Sequence, residues 1–143
     1  MIVYAFYGCG KSSVCKENDD CYDHDFNNFY FETLDKYAGY NMNVILDAYI
    51  AKAKELEDKY PIVFINRYKP GMADLAVFQE SYRSCIRTIA KRQQGNFVPS
   101  KQEYDDMTKT FMGETDVIFL KEGEYLSDKL EEIRSKVYEE RVW

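Results

Sequence analysis

The sequence lacks the long apolar segment that marks a membrane protein. None of the apolar runs in its 143 residues approaches the ~20 residues that a membrane-spanning helix needs. Its opening, MIVYAF, is too short for a signal peptide and has no basic lead. We therefore expect a cytoplasmic protein that has no membrane partner.

Histidine is almost absent and cysteine is scarce. His24 is the single histidine, and its spacing from Cys9, Cys15 and Cys21 differs from that of a usual zinc knuckle. The spacing argues against a zinc site. We expect all four cysteines to be reduced thiols, because a cytoplasmic chain of this size does not need disulfides.

Basic residues are outnumbered, with 19 Lys and Arg against 25 Asp and Glu, and the net charge is −6. A protein that coats nucleic acid is usually basic, so this class is disfavoured, although a local basic patch is still compatible. The composition, 45% apolar and 31% charged, is typical of a globular domain. Without repeats, low-complexity tracts or linkers, residues 1–143 are predicted to form a single domain.

Strand-like and helix-like segments alternate along the chain. Apolar runs predict strands at residues 1–4, 61–67, 74–79 and 116–123, and the stretch CYDHDF, 21–26, looks like a further strand that ends in carboxylates. Helices are predicted from about Lys11, over 43–60, over about 81–94, over 100–111 and from 127 onward. Gly95 is the predicted C-terminal cap of the third, and Ser100, with Glu103 three residues on, is the predicted N-cap of the fourth. Residues 26–42 look aromatic and irregular. This order predicts an α/β fold of three layers, with a parallel five-stranded sheet flanked by helices.

The segment AFYGCGKSS, residues 5–13, follows the first strand and has the spacing of a Walker A phosphate-binding loop. Glycines at positions 8 and 10 allow backbone N–H groups to approach phosphate oxygens closely. Lys11 would reach the terminal phosphates, and the Ser12 hydroxyl would take a Mg²⁺ position. The cofactor-binding residues predicted here are Gly8, Cys9, Gly10, Lys11, Ser12 and Ser13, with ATP and Mg²⁺ as cofactors. The alternative is a glycine turn that merely joins a strand to a helix.

The spacing A-F-Y-G-C-G-K-S resembles the loop of the small P-loop nucleoside and nucleotide kinases, and the chain looks most like the compact nucleotide-kinase-like proteins of bacteriophages. This resemblance implies a P-loop kinase-like fold and a host cytoplasmic location if the protein is viral. There are two departures. Ala5 replaces a glycine, and Asn66 and Arg67 follow the third strand where an acidic residue would help to hold Mg²⁺.

Two carboxylates, Asp23 and Asp25, follow at the end of the second strand. Residues two apart on a strand point to one face, so both side chains are expected at the sheet edge where ligands of α/β folds bind. Asp23 is predicted to help hold Mg²⁺, and Asp25 to act as general base. The alternatives are an acidic surface turn, or Asp25 as the cap of the segment that follows.

Residues 81–102 carry five cations and no acid. Arg83, Arg87 and Lys91 recur every four residues, so they form one stripe on the predicted helix. In P-loop kinases the arginine-bearing lid lies at this point of the chain, and the resemblance implies that Arg83, Arg87 and Arg92 stabilise the phosphoryl group in transfer. The alternative is a solvated cationic face, balanced by neighbours such as Asp105 and Asp106.

These predictions favour an ATP-dependent phosphotransferase that acts on a nucleotide, a nucleoside or a related small hydroxyl compound. A nucleic-acid end is a less favoured acceptor, and a homodimer is left open. One alternative is a non-catalytic P-loop protein that binds a nucleotide to regulate or inhibit a partner. Another is an interaction protein with a decayed loop and no nucleotide affinity. The aromatic residues between 26 and 40 are expected mainly to pack.

Overall fold

The computed structural model describes residues 1–68, 71–92 and 98–142, with the backbone alone for residues 92, 138 and 140–142. Its strands form one parallel sheet in the order β2-β3-β1-β4-β5. They are β1 (Ile2–Ala5), β2 (Cys21–His24), β3 (Ile62–Ile65), β4 (Leu75–Gln79) and β5 (Asp116–Leu120). The predicted three-layer α/β fold with a five-stranded parallel sheet is confirmed.

Helices cover both faces of the sheet and lie between successive strands, except between β3 and β4, where the described residues contain no helix. They are α1 (Lys11–Glu17), α2 (Phe26–Glu32), α3 (Leu34–Tyr37), α4 (Met42–Leu56), α5 (Tyr82–Arg92), α6 (Lys101–Met112) and α7 (Leu126–Val142). In the ranges that the structure describes, no helix combines the length and the apolar character needed to cross a bilayer.

The core has two halves because successive side chains of each strand point to opposite faces of the sheet. Val3 and Ala5 of β1 face a cluster that includes buried residues of α1 and α7. Ile2 and Tyr4 face the other cluster, in which Tyr49 of α4 is fully buried. Helices α5 and α6 also pack on that second face. The two clusters fix the carboxyl ends of the strands along one edge.

The prediction for residues 26–42 is wrong, because α2 and α3 lie where an irregular segment was expected. Asp25 is the N-cap of α2, and its Oδ2 accepts a hydrogen bond from the Asn28 amide at 3.1 Å. Phe26 is buried, which anchors the first turn of the helix. Strand β2 consequently ends at His24, two residues before the predicted end.

The other predicted elements are confirmed with small shifts at their ends. The Ser100 cap of α6 is present, since its Oγ accepts a hydrogen bond from the Glu103 amide at 3.0 Å. The predicted C-terminal cap at Gly95 lies outside the described residues. Of the aromatic residues between 26 and 40, Phe31 and Tyr40 are exposed, and four pack in the core: Phe26, Phe29, Tyr30 and Tyr37.

Candidate phosphate-binding site

The glycine loop follows β1 at the carboxyl edge of the sheet. Ala5 is the last residue of the strand, so the missing first glycine falls in extended backbone. Gly8 (φ 85°) and Gly10 (φ 89°) both have left-handed backbone angles that L side chains rarely adopt. A Cβ at Gly8 would also lie 3.3 Å from the Cys85 carbonyl oxygen. The bend of the loop therefore needs glycine at residue 8 for two separate reasons.

The backbone carbonyls of the loop are held by the rest of the protein. The Tyr7 carbonyl accepts a hydrogen bond from Cys85 Sγ on α5 at 3.1 Å, and the Gly8 carbonyl accepts one from Gln79 Nε2 on β4 at 3.0 Å. The Cys9 carbonyl accepts one from the Leu126 amide at the start of α7, at 2.8 Å. In a trans peptide the next N–H points opposite to the carbonyl. The amides of residues 8–10 are therefore directed to the other side of the loop, from which an anion can approach.

The thiol of Cys85 is suited to its role as a donor. Burial raises the pKa of this thiol to about 11, so that it keeps its proton at neutral pH. Burial also raises the pKa of the Tyr7 hydroxyl, an effect that the nearby Arg67 charge opposes. The Tyr7 hydroxyl therefore keeps its proton at neutral pH.

Lys11 and two carboxylates converge beside the loop. Lys11 Nζ lies 3.0 Å from Asp23 Oδ1 and 3.6 Å from Asp25 Oδ1. The side chains are mostly buried, with exposed fractions of 17% for Lys11, 22% for Asp23 and 20% for Asp25. Ser12 Oγ donates a hydrogen bond to Asp23 Oδ2 at 3.0 Å. The fold thus brings four of the predicted site residues into contact with one another.

Asp25 both caps α2 and lines the site. Asn66, the first residue after β3, donates a 2.6 Å hydrogen bond from Nδ2 to Asp25 Oδ1. The Asn66 Oδ1 atom accepts a hydrogen bond from the Phe26 amide at 2.8 Å, so both polar atoms of this amide are engaged. The Tyr49 hydroxyl receives the Asn66 backbone N–H at 3.1 Å. This network fixes the direction of the Asp25 carboxylate.

A cavity of about 230 Å³ opens at this edge, lined by residues 4–12 together with Asp25, Asn27 and Asn66. Its volume is slightly below the range of roughly 300–1,000 Å³ common for pockets that enclose a whole ligand. The cavity therefore suits a phosphate chain, with the rest of the ligand extending outside. Ser13 is exposed on α1 and does not line this cavity.

The residues at this edge fit a magnesium ion that is bound mainly by water and by the phosphates of a substrate. Ser12 and Asp23 supply two side-chain oxygens in contact with each other. Across the described ranges, no group of three or more His, Cys, Asp and Glu side chains is arranged to hold a metal. Mg²⁺ keeps several waters and is commonly held by one or two carboxylates plus substrate phosphates, so two protein oxygens are enough.

Two of the predicted lid arginines, Arg83 and Arg87, do not line the cavity. Arg87 Nη1 lies 2.7 Å from Glu122 Oε1, and both side chains are about half exposed. Arg83 is exposed on the same helix, and the side chain of Arg92 lies outside the described part of the structure. Asp105, one of the acids expected to balance the cationic face, pairs with Lys101 at 2.8 Å. In this conformation the stripe therefore faces an acidic neighbour.

Sequence reasoning missed three polar residues around the loop. Asn27 and Asn66 line the cavity, and Gln79 holds the Gly8 carbonyl. Asn66 had a usable signal, because it directly follows a buried strand that pairs with the strand carrying the loop. Gln79 also ends a buried strand, but its partners lie 71 and 45 positions away in the chain.

Comparison with known proteins shows no family for this chain. No family model and no curated protein matches the chain. Among solved structures, it is similar to a deoxyadenosine kinase from M. mycoides with the products dCMP and a flexible dCDP bound, at a TM-score of 0.47 and 13% identity. This match covers 97% of this chain and 99% of that one. The α/β fold therefore rests on the sheet and the helices described above, and the resemblances to P-loop kinases and to phage proteins remain predictions.

Proposed function

We propose that this protein is an ATP-dependent phosphotransferase that acts on a nucleoside, a nucleotide or a related small hydroxyl compound. The observation that carries the proposal is a cavity lined by a glycine loop, Lys11 and Asp25, together with a second carboxylate, Asp23, that contacts the same lysine. Phosphoryl transfer depends chiefly on positioning and charge stabilisation, and this set of groups supplies both.

The donor side of the site consists of the loop and Lys11. The loop amides bind the phosphate oxygens of ATP, and Lys11 leaves its carboxylates to neutralise the terminal phosphates. Ser12 and Asp23 would hold Mg²⁺, which would supply further positive charge to the phosphates.

The acceptor side is Asp25, held in place by Asn66. Asp25 orients the acceptor hydroxyl and takes its proton as the acceptor oxygen bonds to the γ-phosphorus of ATP. The bond from that phosphorus to the bridging oxygen breaks, and ADP leaves. The products are then ADP, the phosphorylated acceptor and a proton on the Asp25 carboxyl.

The lid arginines belong to this proposal as well. Arg83, Arg87 and Arg92 stabilise negative charge on the transferred group, and Arg87 becomes available once a bound nucleotide competes with Glu122 for it. Their position on α5 supports the role, because this helix also donates the Cys85 hydrogen bond to the loop.

A second candidate is a nucleotide-binding protein that performs no transfer. Asn66 favours this function, because a neutral amide stands at the end of β3 where a carboxylate would add to a Mg²⁺ site. Such a protein would bind ATP through the same loop and use the bound state to regulate a partner.

The test combines binding with transfer. Thermal shift and calorimetry with ATP, GTP and Mg²⁺ measure binding, and labelled γ-phosphate is followed into nucleosides, monophosphates and an oligonucleotide 5′ end. Lys11→Met is expected to abolish detectable binding. Asp25→Asn should retain binding but lower kcat by about 100-fold or more, as expected on loss of a general base.

Lys109→Met is the matched control, because Lys109 is exposed on α6 and does not line the cavity. It should behave like the wild type in both assays. Binding without labelling of any acceptor would favour the regulatory protein. A melting temperature that no nucleotide moves would refute both candidate functions.

A further inference from the structure

Gln79 is an uncharged polar residue in an unusual place. It is the last residue of β4, and it is fully buried. A buried carboxamide is retained at such a position when its polar atoms are satisfied by specific partners.

All the polar groups of this side chain have partners. Its Nε2 donates to two backbone carbonyls, Gly8 at 3.0 Å and Glu124 at 3.2 Å. Its Oε1 accepts a hydrogen bond from Ser84 Oγ at 3.0 Å. A flipped amide would place its oxygen against two carbonyl oxygens, so the partners permit one orientation alone.

The two carbonyls belong to separate loops. Gly8 lies in the glycine loop, and Glu124 lies in residues 121–125, which join β5 to α7. One NH₂ group therefore ties these loops together, while Ser84 on α5 orients it. The arrangement connects three elements that are distant in the chain.

We propose that Gln79 is the positioning residue of the phosphate loop. By holding the Gly8 carbonyl, it sets the direction of the next peptide N–H, which is the Cys9 amide on the opposite side of the loop. It also couples residues 121–125 to that loop, so that both order together. The binding consequence of this inference rests on the proposed function, whereas the ordering of the loops does not.

The test uses Gln79→Met, which nearly preserves volume and removes both donors. Inorganic tripolyphosphate is the probe, because it contacts the phosphate site without a base or a sugar. The Kd of tripolyphosphate should rise at least ~10-fold, the effect of about one hydrogen bond to a charged group. Without ligand, backbone hydrogen exchange should accelerate in residues 6–10 and in residues 121–125 together.

Tyr104→Phe is the matched control, since the Tyr104 hydroxyl donates a 2.5 Å hydrogen bond to the backbone oxygen of Gln79. This variant loses a buried hydrogen bond at the same residue but leaves the side-chain amide in place. Its tripolyphosphate Kd and its exchange in the two loops should stay at the wild-type level, even if its Tm falls.

Ser84→Ala covers the case in which Gln79→Met does not fold. It releases the amide from the Oε1 side and should produce a smaller change in the same direction. Unchanged exchange in both loops, or equal acceleration in Tyr104→Phe, would overturn the positioning role. If the wild type binds neither ATP nor tripolyphosphate, the proposed function fails, and the exchange data alone then decide whether Gln79 orders the loop.

Discussion

The side-chain amide of Asn66 donates a 2.6 Å hydrogen bond to the carboxylate of Asp25, across 41 positions of the sequence. The same amide receives the Phe26 N–H through its oxygen. Asn66 therefore joins the end of β3 to the start of α2 and aims a carboxylate at the cavity. An acidic residue at this position would instead repel Asp25.

Asn66→Ala is expected to lower kcat about 10-fold or more with little effect on the KM for ATP, because it releases the acceptor side alone. It should also cost about 1–3 kcal/mol of unfolding free energy, since the Phe26 amide and the Asp25 carboxylate lose their partner.

Asn41→Ala is the control: Asn41 caps α4 through a 3.1 Å hydrogen bond from the Val44 amide. That variant should lose about 1 kcal/mol of stability and no activity. An equal fall of kcat in both variants would contradict the assignment.

Gly8→Ala should abolish binding of ATP. The φ of 85° strains any L residue by about 1–2 kcal/mol, and the new Cβ presses on the Cys85 carbonyl. Gly39→Ala provides the comparison, because Gly39 has a φ of 86° with open space around it. Both variants should lose similar stability in urea unfolding from the backbone term. Only the first should lose nucleotide affinity by calorimetry, and retained affinity there would mean that the loop does not hold the phosphates.

Variants of Arg87 and Glu122 can decide whether Arg87 acts as a lid residue or only forms a surface salt bridge. If Arg87 serves the transferred phosphoryl group, Arg87→Met lowers kcat at least ~10-fold. Glu122→Gln, which releases the arginine, leaves kcat equal or higher. An exposed ion pair alone contributes about 0–1 kcal/mol, so a purely structural pair predicts small Tm shifts and unchanged kcat in both variants. Steady-state kinetics of the two variants decides between these outcomes.

Acid should weaken the fold partly through Asp20. Hydrogen bonds from Arg134, made by Nε at 2.9 Å and Nη2 at 3.0 Å, lower the pKa of Asp20. A lowered folded-state pKa means that this contribution is complete above the ordinary aspartate value of about 3.9 and is lost as the pH falls through and below it.

Asp20→Asn should therefore destabilise the protein at pH 7 and have less effect near pH 3, measured by urea midpoints. Asp105→Asn serves as control, because its pairing with Lys101 is between exposed residues one helical turn apart. It should change the midpoint little at either pH. A deficit of Asp20→Asn that is equally large at pH 3 would contradict the ionic explanation.

The sequence was sufficient to predict the sheet and the glycine loop, because both depend on local patterns. Buried parallel strands are continuous apolar runs, and the loop has a fixed spacing of glycine, lysine and serine. Helix α2 was missed because FNNFYFE has aromatic and asparagine residues of modest helix propensity. Its formation depends on the Asp25 cap and on burial of Phe26.

The support of the site was harder to predict for a different reason. Asn66 and Gln79 act through single hydrogen bonds to residues far away in the chain, and an isolated amide has no local signature. Arg87 shows the converse, since its helical stripe was evident but its Glu122 partner, 35 positions away, was not. Local chemistry was visible in the sequence, whereas the contacts that orient it arise from the tertiary fold.

The three hydrogen bonds that hold the carbonyls of residues 7, 8 and 9 also have a consequence for folding during synthesis. The Cys9 carbonyl accepts a hydrogen bond from the Leu126 amide, so the set of hydrogen bonds that holds the glycine loop is completed only by the first residue of α7. A nascent chain can emerge from the ribosome with its first strand long before this bond is able to form. The glycine loop is thus synthesised well before the helix whose amide completes its set of hydrogen bonds.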